Sequence, residues 1–237
     1  MDNLKEIRRG ETGTGLLIEN DGYISPEIGD NKHLFESYKV MLNEGDLESL
    51  PDPFVVDAVF QKYGIENANG RIYPEDILKK AVDKYQDLIK NRMAIGECNH
   101  PDDSTIDLSR VAINIIELHW EKNTLVGKME IPVTNGFRKL GIISCQADQV
   151  AHLILSGIKI GVSSRGLGSV TSKMGTLYVS DDYEIVCWDV VSTPSTPGAY
   201  IARDKKDLTQ YIEGKENQSK GTLIDSLDSF NDWLSNF

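Results

Sequence analysis

The chain has 237 residues, with 25 Lys and Arg against 37 Asp and Glu, for a formal charge of −12. This length suits one domain with terminal extensions better than two full domains. The acidic balance, with no local basic patch to offset it, argues against a nucleic-acid or anionic-membrane surface. Cys98, Cys145 and Cys187 are odd in number and form no pairing motif, so they read as thiols of a reducing compartment. No apolar run approaches the roughly 20 residues of a membrane span, and Met1-Asp2-Asn3-Leu4 lacks the plan of a signal peptide. A soluble, intracellular protein is expected.

Residues 1–50 mix glycine, acids and scattered apolar positions without sustained periodicity, and read as an extended lead-in. Structure becomes legible after Pro51. Pro53 to Phe60 reads as a strand and Asn67-Ala68-Asn69-Gly70 as a turn. Pro74 suits a first helical turn, and Ile77, Leu78, Ala81, Val82, Tyr85, Leu88 and Ile89 recur on one helical face. A strand at Met93-Ala94-Ile95 leads to His100. Val111, Ile113 and Ile115 alternate, Glu121-Lys122-Asn123 turns, and Leu125, Gly127, Met129 and Ile131 alternate again, which predicts a hairpin.

A second helix ends over Val150–Ser156, with Gly157 as its left-handed cap. Strands at 159–164, 176–180 and 183–193 follow, the last stopped by Pro194-Ser195-Thr196-Pro197-Gly198. Beyond about Arg203 the chain turns polar and reads as a tail, closing on a short amphipathic segment from Leu223 to Leu234. Many short strands, two helices and no regular strand-helix alternation predict an α+β fold, mainly an antiparallel β-barrel or sheet with flanking helices. The expected division is a lead-in over 1–50, a domain over 51–205 and a tail over 206–237.

Three segments carry candidate chemistry. Gly161, Gly166 and Gly168 surround Ser163-Ser164 just after Ile158-Lys159-Ile160. A hydroxyl nucleophile needs an uncluttered backbone and N–H groups facing a developing oxyanion, and glycines permit both. Ser163 is the candidate nucleophile, with Ser164, Arg165 and Gly166 at the oxyanion and substrate-orienting side, Arg165 as a fixed cation. The plain alternative is a glycine-rich turn between strands. A phosphate-cradling loop would need a lysine and a spacing that are absent.

His100, between Asn99 and Pro101, follows a strand and can take and return the seryl proton; alone it would read as a surface-loop histidine. His33, His119 and His152 read as structural or surface groups. Cys98 and His100 find no second ligand pair to complete a metal site, so neither metal nor cofactor is expected. In Tyr183 to Val191 one phase reads Ile185, Cys187, Asp189, Val191, so Asp189 interrupts an apolar face where an unpaired carboxylate is costly. A histidine partner would offset that cost and give the acid the usual orienting role. Asp107, able instead to cap a turn or pair with Arg110, is the competing acid, and Glu97 a more distant third.

Together, Asn67-Ala68-Asn69-Gly70-Arg71-Ile72-Tyr73-Pro74, Gly96-Glu97-Cys98-Asn99-His100-Pro101, Gly161-Val162-Ser163-Ser164-Arg165-Gly166-Leu167-Gly168 and Asp189-Val190-Val191 with Pro194-Ser195-Thr196-Pro197-Gly198-Ala199 resemble the prohead core proteases of T-even-type phages. The four motifs occur in order over roughly residues 53 to 203. The resemblance implies a serine endopeptidase that acts inside the assembling prohead in the host cytoplasm, cleaves scaffold and major capsid proteins after glutamate, and cuts itself. It implies a fold similar to herpesvirus assembly proteases. His100 and Ser163 carry over directly. The third position is a histidine in the herpesvirus relatives and an acid in other phage proteases, which makes Asp189 the natural analogue and keeps Asp107 open. Cys98 stands where the family often has an aliphatic residue.

The implied preference for an aliphatic-x-Glu triplet before a small residue marks Leu42-Asn43-Glu44-Gly45 and, more loosely, Tyr211-Ile212-Glu213-Gly214 as self-cleavage sites, at Glu44 and Glu213. Leu17-Ile18-Glu19-Asn20 shows how easily near-matches arise. Action within a shell implies self-association, although no interface signature sets a number. The competing reading is a non-enzymatic capsid-assembly or scaffold-binding protein on the same fold.

Overall fold

In β2 (Phe54–Lys62) the buried residues Phe54, Val56 and Ala58 alternate with half-buried ones, as in a strand covered on one face; beyond Val59 every residue is buried. The computed structural model describes residues 15–18, 50–101 and 103–213. A register shift between Val59 and Gln61 lies at this change, opposite β6 (Thr124–Ile131). β6 and β5 (Val111–Glu121) form the expected hairpin, its turn at Lys122 with φ 57°. With β4 (Ile95–Glu97) and β11 (Ile201–Ala202) they make a five-stranded antiparallel sheet ordered β11-β2-β6-β5-β4.

A second antiparallel sheet is ordered β1-β7-β10, from Gly15–Ile18, Gly161–Gly168 and Glu184–Val191. A third joins β3 (Arg71–Ile72), β9 (Thr176–Val179) and β8 (Val170–Lys173). Before β3, the Asn67 side chain accepts from the N–H groups of Asn69 and Arg71, both at 3.0 Å, and Gly70 takes φ +70°; this is the predicted turn.

Short contacts join the two larger sheets at two places. Cys98 bridges Val190 in parallel, and Asn99 N–H donates to Val190 O at 2.8 Å, which brings the end of β4 against β10. Elsewhere Gly161 bridges Tyr200, and Val162 N–H donates to Ala199 O at 2.8 Å. The first contact depends on Gly96: a Cβ there would lie 1.9 Å from Trp188 O, so no other residue lets β4 come this close to β10.

Helix α1 (Glu75–Lys90) buries Leu78, Ala81, Val82 and Tyr85, the face read from the sequence. Tyr85 meets Trp188 edge to face, with centroids 4.9 Å apart, and Phe60 meets the same indole at 5.7 Å. The core of the domain thus lies directly beneath β10. Helix α3 (Gln146–Leu155) ends at Gly157, φ +73°, as expected. Its buried Asp148 accepts from the N–H and hydroxyl of both Thr134 and Ser144, which ties the short helix α2 (Asn135–Leu140) to it.

Three expectations change. The lead-in contains β1, which extends a sheet whose hydrogen bonds its own composition does not announce. The segment after Ser163 is not a turn, since β7 continues to Gly168. The polar stretch beyond Arg203 begins with helix α4 (Lys205–Glu213), whose Tyr211 is buried against Val59 and Ala199 and whose Tyr211 carbonyl accepts from Lys62 Nζ at 3.0 Å. Leu208, Tyr211 and Ile212 stand at helical spacing against this cluster, but one such triplet in a charged nine-residue segment is too short to register as a period. The amphipathic segment 223–234 lies outside the described residues.

Gly96→Ala is expected to force β4 away from β10 and to destabilise the fold by about 1–3 kcal/mol, the usual range for overpacking. Urea unfolding monitored by Trp fluorescence reads this; a midpoint equal to wild type would show that β4 has room to shift.

Candidate active site

β7 and β10 pair antiparallel with Ser163 directly opposite Asp189, Ser164 opposite Trp188 and Arg165 opposite Cys187. Side chains alternate along a strand, so Ser163, Arg165, Cys187 and Asp189 share one face, while Ser164 and Trp188 share the other. Directly opposed residues hold their Cβ atoms roughly 4.5–5.5 Å apart. The bulge between Ile185 and Cys187 breaks the phase, so the alternation read from Ile185 to Val191 holds only from Cys187 onward.

The histidine arrives from the other sheet. Once Cys98 and Asn99 are bound to Val190, Asn99 adopts φ +66°, a left-handed conformation asparagine tolerates, and the chain reverses. The His100 ring then meets Asp189, with Nδ1 2.7 Å from Oδ2. Because a carboxylate only accepts, Nδ1 carries the proton, which leaves Nε2 with its lone pair available as a base. Nε2 is buried and has no hydrogen-bond partner among the described residues. The His100 side chain is 1% exposed, Ser163 2% and Asp189 0%.

Asp189 receives more than the imidazole. Glu97 N–H donates to Oδ1 at 2.8 Å, Arg165 Nε to Oδ2 at 3.0 Å, and Arg165 Nη2 reaches Oδ1 at 3.3 Å. Burial pushes the Asp189 carboxyl up, but His100, Arg165 and the Glu97 N–H outweigh it and hold the group below the ordinary carboxylate range. Beside it, burial and the Asp189 charge keep the Cys187 thiol well above the usual thiol range, and therefore neutral. Its Sγ lies 3.1 Å from Arg165 Nη2 and 3.2 Å from Asp189 Oδ1.

Arg165 does not face a substrate as the fixed cation read from the sequence. Its guanidinium is fully buried, grips Asp189, lies 3.3 Å from Glu97 Oε1, and donates through Nη1 to the carbonyls of Asp103 at 2.7 Å and Thr105 at 3.4 Å. The reason is the strand: had Ser163 stood on a tight turn, the residue two beyond could have swung outward, but in β7 it must share the face of Asp189. Ser164 Oγ is buried on the opposite face without a partner among the described residues. Gly166 serves close packing, since a Cβ there would lie 2.5 Å from Tyr183 Cε2.

Of the two acids weighed, Asp189 and not Asp107 meets His100. Asp107 caps the single 3-10 turn Leu108–Arg110, its Oδ1 accepting from Ser109 N–H at 2.9 Å and Ser109 Oγ at 2.7 Å. Glu97, the third candidate, is fully buried and stands behind the site, contacting Arg165, Arg110 and the Asp107 N–H. Its importance could have been read from the same cue as Asp189, a carboxylate in a short apolar strand. His119 is half-exposed between Glu117 and Glu121, far from this chemistry in the hairpin β5–β6. Glu213 ends α4, and Glu44 lies outside the described residues.

A buried imidazole-carboxylate pair, with a serine directly across the sheet from the carboxylate, is an arrangement compatible with an acyl-transferring hydrolase. Residues 16–212 match the family described as prohead core protein serine protease, and the chain belongs to that family. It is 33% identical over 198 residues to the prohead core protein protease of Enterobacteria phage T4, covering 82% of this chain and 86% of that protein. The solved structure of the bacteriophage T4 capsid assembly protease is similar, with a TM-score of 0.52 and 30% identity over 58% of this chain and 80% of that one. The protein is therefore a peptidase of phage capsid maturation, a prohead core component with a mixed α+β fold of mostly antiparallel sheets. No helix among the described residues is long and apolar enough to cross a membrane.

Two outcomes are expected. Arg165→Met leaves Asp189 and Glu97 buried without their shared cation and lowers stability by about 3–5 kcal/mol; urea unfolding with little change in midpoint would contradict this. Because the folded Asp189 carboxyl is depressed, its stabilisation is present above the unfolded value of about 3.9 and is lost as pH falls through the lower folded value. Between about 3.9 and that lower value, wild-type stability should fall more steeply with falling pH than that of Asp189→Asn, as read from urea midpoints between about pH 2 and 5.

Proposed function

We propose that the chain is a serine endopeptidase in which Ser163 attacks the scissile carbonyl, His100 Nε2 takes the seryl proton and returns it to the leaving amine, and Asp189 holds the imidazole in that tautomer. The observation that carries the reading is the 2.7 Å contact of His100 Nδ1 with Asp189 Oδ2, on a carboxylate whose cross-strand partner is Ser163. The acid's role is orientation and stabilisation of the imidazolium. With the Arg165 side chain committed to Asp189, the oxyanion donors are backbone N–H groups of the segment Ser164 to Gly166.

The substrates in this reading are scaffold and major capsid proteins and the chain itself, cut after glutamate within the prohead. β1 suggests how a substrate lies: it runs antiparallel to β7 with Ile18 opposite Arg165, two positions from Ser163. An extended peptide adding to a strand edge gains main-chain hydrogen bonds without regard to sequence, and side-chain pockets then select. The burial of Ser163 and His100 favours a zymogen, in which the site must be uncovered before it acts. Cleavage after Glu213 requires the last turn of α4 to unwind and Tyr211 to leave its seat, whereas Glu44 precedes the domain. We further propose that the two sheets close into the barrel of herpesvirus assembly proteases, on the strength of the contacts at Cys98–Val190 and Gly161–Tyr200.

A fluorophosphonate is expected to label the processed protein and not Ser163→Ala, and intact-mass spectrometry to find termini after Glu44 and Glu213 in the wild type alone. Equal labelling of both proteins would remove Ser163 from the reaction; identical termini in both would remove self-cleavage.

A further inference from the structure

The Glu97 carboxylate is a buried charge that the reaction described above does not use. Glu97 stands on β4 three residues before His100 and is fully buried. It meets the site twice, through its N–H on Asp189 Oδ1 at 2.8 Å and through its carboxylate, whose Oε1 lies 3.3 Å from Arg165 Nη2 and accepts the Asp107 N–H at 2.7 Å. Oε2 lies 3.4 Å from Arg110 Nε, an ionic contact rather than a hydrogen bond. The ionic groups Asp189, Arg165, Glu97 and Arg110 form a row of alternating sign that ends on the His100 imidazole. The middle three are 0% exposed, and only Arg110, at 36%, reaches solvent.

Within this row Arg165 and His100 compete. Arg165 Nε is 3.0 Å from Asp189 Oδ2, the same oxygen that lies 2.7 Å from His100 Nδ1. A buried guanidinium left to itself would neutralise Asp189 and weaken its hold on an imidazolium, since charges interact strongly in a poorly polarisable interior. We propose that Glu97 is a positioning residue that offsets the charge of Arg165, so that the Asp189–Arg165 pair keeps a net negative field toward His100. Other charged or titratable groups also face this pair. They are Cys187 on β10, Cys98 after β4, Asp103, Asp107 and Arg110 in the following loop and turn, and Tyr85 on α1. None of these besides Arg110 contacts the Glu97 carboxylate as an ion among the described residues.

The inference rests on His100 as the base, but its test needs no activity. The readout is the pH midpoint of the His100 ring signal in NMR of the full chain, assigned by its loss in His100→Ala. Glu97→Gln keeps the N–H to Asp189 and an oxygen for the Asp107 N–H while removing the charge. The midpoint should then move to lower pH by roughly 0.5–1 unit. Arg110→Gln removes the cation at the far end and should move it to higher pH, by less. Opposite directions follow from charge, whereas mere loosening of the loop would move both alike. Midpoints that stay at the wild-type value, or that move the same way in both variants, would overturn the proposal. Should circular dichroism show Glu97→Gln unfolded, Arg110→Gln decides alone, and a midpoint at or below wild type is the overturning result. Failure of fluorophosphonate to label Ser163 in processed protein would instead undo the catalytic reading and leave the titration result standing.

Discussion

The carboxylate of Asp189 is the group on which the rest of the site depends. A buried carboxylate is stable only when its charge and lone pairs are matched, and here the imidazole, a guanidinium fork, a main-chain N–H and a thiol all converge on it. The imidazole and the main-chain N–H come from the segment 97–100, the guanidinium from β7 and the thiol from β10 itself. Satisfying Asp189 therefore fixes β4 against β10, β7 against β10, and the loop after His100 over both. The chemistry and the assembly of the two sheets rest on the same set of contacts.

The two faces of the β7–β10 ladder divide the work. Trp188, with Phe60 and Tyr85 packed edge to face upon it, lies on the face that holds Ser164 and supplies the apolar support. The face of Ser163, Arg165 and Asp189 holds the polar groups. A slip of one residue in this register would exchange the faces, moving Trp188 into the polar cluster and Asp189 into the aromatic core. The bulge at the start of β10 and the approach permitted by Gly96 set that register against β4.

Much of the fold was legible because local rules apply where burial is one-sided. The α1 face, the β5–β6 hairpin, the Asn67 turn and the Gly157 cap follow from periodicity and from residues with distinct backbone preferences. The departures share a cause. β7 is buried on both faces and rich in serine and glycine, so its second half lacks the alternation that announces a strand and the strand read from the sequence stops at Ser164. β1 has four residues and α4 nine, each too short for its apolar residues to establish a period.

At the site, strand phase marked Asp189 as a carboxylate in need of a partner, whereas His100 and Ser163, each open to a plain loop or turn reading by itself, were singled out by the order of motifs in the resemblance. Sequence alone left the acid open between Asp189 and Asp107, and it turned Arg165 outward. Only the tertiary structure decided these points. Which carboxylate meets the imidazole depends on two strands from different sheets, and the direction of Arg165 depends on β7 being a strand. Hydrogen-bond partners 89 and 24 residues apart in the chain are set by long-range packing, which no local pattern encodes.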